Sequence, residues 1–82
     1  MIMEDLCLKI LEQRGIKPTA IRMLVLKAMM ETEQAVSLLD LENKLDTVDK
    51  STILRTITLF VSNHLAHSVD DGTGSLKYAV CD

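Results

Sequence analysis

Between Lys50 and Val69 the chain carries Lys50, Arg55, His64 and His67 and no carboxylate. Between Arg14 and Met30 it carries Arg14, Lys17, Arg22 and Lys27, again with no acid. The acids gather in Glu31, Glu33, Asp40, Glu42, Asp46 and Asp49, at the two ends, and at Asp70-Asp71. An acid-free basic stretch is what a phosphate-facing surface needs, because a carboxylate repels the phosphates that Lys and Arg attract. Hydroxyls add to this chemistry. Ser51, Thr52, Thr58 and Ser62 accompany Arg55 in the second stretch, and hydroxyls and guanidinium groups bond both phosphates and base edges. The plainer reading of the same stretch is a polar face turned to solvent.

Other reactive residues form poorer sets. His64-x-x-His67 has a spacing that zinc sites use, but no Cys or acid stands near in sequence, and a zinc site takes three or four ligands. Its plainer reading is a helix-end histidine followed by one on a strand. Cys7 and Cys81 lie near opposite ends and make no disulfide framework, which fits a reducing cytosol. Ser37 and Ser51 lack a positioned base, and Gly72-x-Gly74 is a turn and not a phosphate cradle. No nucleophile–base pair is visible, so an enzyme is not expected.

The elements that must carry these residues follow from apolar spacing. Leu6, Ile10 and Leu11, with Cys7 beside them, predict a helix over about 4–14, closed by Gly15 as its C-terminal cap. Thr19 caps a second helix over 20–32, with Ile21, Leu24, Val25, Ala28 and Met29 as its inner stripe. Ser37-x-x-Asp40 is a capping box opening a third helix over 37–46, burying Leu38, Leu41 and Leu45. Asp49 is placed to cap a fourth helix over 50–64, whose inner arc is Ile53, Ile57, Phe60 and His64, bordered by Val61. Its opposite side carries Ser51, Thr52, Arg55, Thr58 and Ser62, with Leu59 among them. Two short runs over about 65–80 flank the turn Asp70-Asp71-Gly72-Thr73-Gly74 and predict a β-hairpin.

With 82 residues the chain makes one domain, 1–82. The fold class is mainly α with a C-terminal β-hairpin, the layout of a winged helix-turn-helix, in which the fourth helix enters the DNA major groove. Only Phe60 and Tyr78 are aromatic, which excludes readers that stack bases on an aromatic platform. No run approaches the length of a membrane span, and the acidic start is no secretory signal, so a cytoplasmic location is expected. The net charge of −3 argues against nucleic acid as a total, and for its layout the opposite holds.

Four stretches together resemble the DNA-binding domain of the ferric uptake regulator (Fur) family. They are Gly15-Ile16-Lys17-Pro18-Thr19 with Arg22 three residues on, Ala35-Val36-Ser37-Leu38-Leu39-Asp40-Leu41, Ser51-Thr52-Ile53-Leu54-Arg55-Thr56-Ile57, and Gly74-Ser75-Leu76-Lys77-Tyr78-Ala79-Val80. The resemblance implies sequence-specific binding of duplex DNA as the reading head of a metal- or peroxide-responsive repressor. It matches Lys17 to a lysine that reaches the minor groove, Arg22 to a phosphate contact, and Thr52 and Arg55 to recognition-helix residues, with Arg55 open to a guanine edge or a phosphate. The helix itself adds Lys50 at phosphate or minor groove, with Thr52 and Arg55 facing bases and Ser51, Leu54 and Thr58 on the same reading face. Departures are informative. Leu54 stands where the family has a tyrosine, Ala79 where it has a metal-binding glutamate, and Ala35 where it has a histidine. No metal or cofactor is therefore expected in this chain. Zinc or iron, and homodimer formation, are expected only of a further domain in a longer parent, with Cys81-Asp82 at the hinge. The alternative is a winged-helix module that binds protein and not DNA, which the low isoelectric point, about 5.2, favours.

Overall fold

The computed structural model describes residues 2–32, 34–70, 72, 74 and 76–81, with Ile2 and Met3 described by backbone alone. Parts of the predicted turn (Asp71, Thr73), along with Glu33, Ser75 and the hinge residue Asp82, lie outside the described residues. The chain order is α1 (Ile2–Gln13), α2 (Ala20–Met30), β1 (Val36–Ser37), α3 (Leu38–Lys44), α4 (Lys50–Ser62), β2 (Ala66–Asp70) and β3 (Leu76–Val80). The four predicted helices and the hairpin are present, with helix ends drawn in by one or two residues where the last turns fray, except that α1 begins two residues earlier than predicted.

Local chemistry explains the boundaries. Thr19 Oγ1 accepts from the Arg22 backbone N–H at 3.3 Å and opens α2. Ser37 Oγ accepts from the Asp40 N–H at 3.1 Å while Asp40 Oδ2 accepts from the Ser37 N–H at 3.0 Å, a complete capping box. The Ser37 backbone N–H, and after it the Ser37 hydroxyl, hold the Asp40 carboxyl below its ordinary pKa. Asp49 takes the cap position of α4, but its side chain makes no capping bond.

Two helices close on the same device. In α1 the Gly15 N–H donates to Glu12 O and the Ile16 N–H to Leu11 O, with Gly15 at φ +71°. In α4 the His64 N–H donates to Val61 O and the Leu65 N–H to Phe60 O, with His64 at φ +61°. In each case the apolar residue after the left-handed one is buried with its partner a turn back: Ile16 with Leu11, Leu65 with Phe60. This corrects the placement of His64 on the inner arc. The backbone reverses hand at that residue, so its ring leaves the helical register and is exposed.

The core joins Cys7 and Leu11 of α1, Val25, Leu26, Ala28 and Met29 of α2, Val36, Leu41 of α3, Ile53, Ile57 and Phe60 of α4, and Leu65 and Ala66. Leu6 and Leu24 were expected inside and are 43% and 44% exposed. Cys7 and Leu26 are fully buried in their stead, a turn of each helix by about half of one residue step. In α4 the buried arc includes Thr56, whose Oγ1 donates to Thr52 O at 2.8 Å and so enters the core with its hydroxyl satisfied. Leu59, expected outside, packs against the core, and Val61, expected at the border, is exposed.

The sheet has three antiparallel strands in the order β1-β3-β2. Ser68 and Val36 face Tyr78 from the two sides of β3. Strand β1, absent from the sequence reading, is two residues long and ties the start of α3 to the wing.

Candidate nucleic-acid interface

The α3–α4 corner and the attached wing present α4 along one edge of the molecule. Burial of Ile53, Thr56, Ile57 and Phe60 leaves Ser51, Leu54, Arg55, Thr58, Val61 and Ser62 on its exposed side, spaced three, four and seven residues apart as one helical face requires. Lys50 opens the helix and is exposed as well. Thr52 does not share this face. It is half-buried on the flank, and its carbonyl accepts the Thr56 hydroxyl. Arg55 has no ion-pair or hydrogen-bond partner among the described residues.

Two hydroxyls of this face are already engaged as donors. Thr58 Oγ1 donates to Leu54 O at 2.8 Å, and Ser62 Oγ donates to Thr58 O at 2.9 Å. With their hydrogens turned back to the helix, the oxygens offer lone pairs outward. The face thus combines one free guanidinium, outward acceptors and the apolar side chains Leu54 and Val61. Such a set accepts from exocyclic amino groups, contacts methyl groups and donates through Arg55.

Lys17 and Arg22 form a second unit. Arg22 Nη1 donates to the Lys17 carbonyl at 2.8 Å, bridging Pro18 and Thr19. This ties down the connector from which the exposed Lys17 ammonium projects. The remaining donors of the Arg22 guanidinium are free for an anion. Sequence reasoning gave Arg22 a contact role alone and had no signal for this bridge, which depends on the turn that Thr19 caps. Lys27, from the same acid-free stretch, lines a groove of about 330 Å³ with Glu4, Cys7, Ala20, Met23 and Leu24, and so stands beside an acid.

The positions where the family resemblance implies metal ligands carry Ala35 and Ala79, which have no donor atoms. Among the described residues no group of three or more His, Cys, Asp or Glu side chains is arranged to hold a metal ion. The residues present do not fit such a site. Nor is any helix long and apolar enough among the described residues to cross a membrane.

Four helices, an α3–α4 corner and a three-stranded wing define a winged helix-turn-helix domain. Solved structures with this fold include the Vibrio cholerae ferric uptake regulator, described by the rearrangement of its DNA-binding domains (TM-score 0.81, 20% identity, 92% of this chain). They also include the manganese-containing ferric uptake regulator of Pseudomonas aeruginosa (0.79, 23%, 100%) and the peroxide-sensing regulator PerR of Streptococcus pyogenes (0.76, 13%, 95%). The chain spans 61%, 62% and 56% of those three chains. At these identities the likeness is one of fold, and it matches the fold that the resemblance to the Fur family implied. No family profile matches the sequence, and no curated protein matches it significantly.

Proposed function

We propose that residues 1–82 form one sequence-specific reader of duplex DNA, the reading head of a Fur-like, metal- or peroxide-responsive transcriptional repressor. In this reading α4 enters the major groove. Arg55 and Thr58 meet base edges, and Leu54 meets a thymine methyl in place of the family's tyrosine. Ser51 and the flanking Thr52 lie near the groove wall. Lys50 and Arg22 bind phosphate, and Lys17 reaches the minor groove from the connector that Arg22 fixes. The observation that carries this is the exposed face of α4, free of carboxylates from Lys50 to Ser62, with Arg55 unpaired among the described residues. It stands in a chain whose net charge is −3. A surface helix in an acidic chain ordinarily shows acids, and their exclusion from one face is what phosphate proximity demands. Work in the cytoplasm, no catalysis and homodimer formation by a longer protein belong to the same proposal.

The test is a mobility shift with generic duplex DNA at low and high salt. Binding that weakens steeply with salt supports the proposal. A second reading, a protein-docking module, draws on the exposed Leu54 and Val61 in the same face. Failure to shift any duplex at low salt by a folded chain selects that reading.

A further inference from the structure

One pair of side chains takes no part in the face described above. His67 Nδ1 lies 3.2 Å from Cys81 Sγ. The strand register brings them together. His67 pairs with Ala79, so Cys81, two residues further along, stands diagonal to it on the same side of the sheet. The Cys81 N–H donates to Leu65 O at 2.8 Å, which holds the thiol's backbone in place beyond the end of β3. His67 is exposed and Cys81 half-buried, so a small solute reaches the sulfur beside a proton acceptor. Both cysteines are free. Cys7 is the opposite case. It is 0% exposed, its Sγ lies 3.8 Å from Met30 Sδ, and burial pushes its thiol pKa up, only partly opposed by the Lys27 cation.

We propose that Cys81 is a thiol–disulfide exchange site for small disulfides, with the His67 imidazole as its proton acceptor. A nucleophile and a base within hydrogen-bond reach are the minimum set for such a step. Cys81 gives its proton to Nδ1 as Sγ attacks one sulfur of the incoming disulfide. A new Sγ–S bond forms, the reagent's S–S bond breaks, and the departing thiolate takes the proton from the imidazolium. One disulfide and one thiol become one mixed disulfide and one released thiol. The reagent supplies both oxidising equivalents, and no further oxidant is needed.

The experiment follows release of the coloured thiol from dithiobis(nitrobenzoate) at neutral pH, with mass mapping of the modified cysteine. The full chain is compared native and unfolded in guanidinium. In the native chain Cys81 reacts faster than it does unfolded, although folding half-buries it, and Cys7 is spared. Cys81→Ser removes the fast phase. His67→Gln keeps a polar group of similar reach but no base, and slows the fast phase by about tenfold, the low end for loss of a general base. Its helical signal checks that the fold is kept. A native Cys81 no faster than the unfolded thiol, or a folded His67→Gln chain reacting at the parent rate, overturns the proposal.

Discussion

Replacing Arg55 by alanine separates contact from fold. The side chain is exposed in the middle of α4, and no partner among the described residues depends on it. Removing it therefore changes folding stability by less than about 0.5 kcal/mol. Against DNA the loss is larger. A bidentate contact to guanine is worth about 1–3 kcal/mol, which is roughly 5- to 150-fold in Kd. A phosphate contact has a different signature, lowering the slope of log K against log salt by about 0.9. Fluorescence anisotropy with a duplex selected from a random pool by the parent chain, at several salt concentrations, distinguishes these cases. A guanine contact shows as lost discrimination against unselected duplex at constant slope. A phosphate contact shows as uniform weakening with a shallower slope. Unchanged affinity at every salt concentration, with the helical circular dichroism intact, refutes the assignment of this face to DNA.

Lys17→Ala lowers the salt slope by about one contact and reduces preference for A·T-rich flanks, measured on the same duplex with altered flanks. His64→Gly removes a left-handed non-glycine residue that costs about 1–2 kcal/mol, offset by glycine's greater freedom when unfolded. The net expected gain is about 0.5–1 kcal/mol, seen as a higher urea midpoint at constant m-value. The Asp40 carboxyl has a folded pKa below its unfolded one, so its contribution is fully present above the unfolded value of about 4 and is lost as pH falls through the folded value. Protection of the amides in the first turn of α3, taken relative to intrinsic exchange at each pH, falls over that window, and Asp40→Ala removes that fall.

The parts of this molecule that were legible in the sequence are those set by neighbours in the chain. Gly15, Thr19 and the Ser37–Asp40 box act across three to five residues, and each works in the structure as its residue types require. Elements set by distant partners were not legible. Strand β1 is two residues long and exists only through its register with Tyr78 and Lys77. A period cannot be read from two residues. Leu24 and Leu26 are equally apolar, and only the packing of α1 and α4 on α2 decides that Leu26 is buried and Leu24 is not. At the candidate site, Arg55 and Thr58 follow from helical spacing. The half-buried state of Thr52 does not, because it depends on Thr56 turning into the core.

That turn of Thr56 determines how the whole face is aimed. The polar residue enters the core without a desolvation cost beyond its own bond, because Thr52 O receives its hydroxyl. With Thr56 inside, the buried arc is centred between it and Ile57, and the exposed arc is centred on Arg55 and Thr58, flanked by Leu54 and Val61. Had His64 shared the inner arc, the helix would have run on and rolled toward Val61, carrying Leu59 outward in place of Leu54. The reversal of hand at His64 instead ends α4 at Ser62 and lets Leu65 fold back beside Phe60. The residues that fix which side chains a groove would meet are therefore not on the exposed face. They are Thr56 and His64, two positions where the sequence departs from what a simple apolar stripe and a glycine cap would supply.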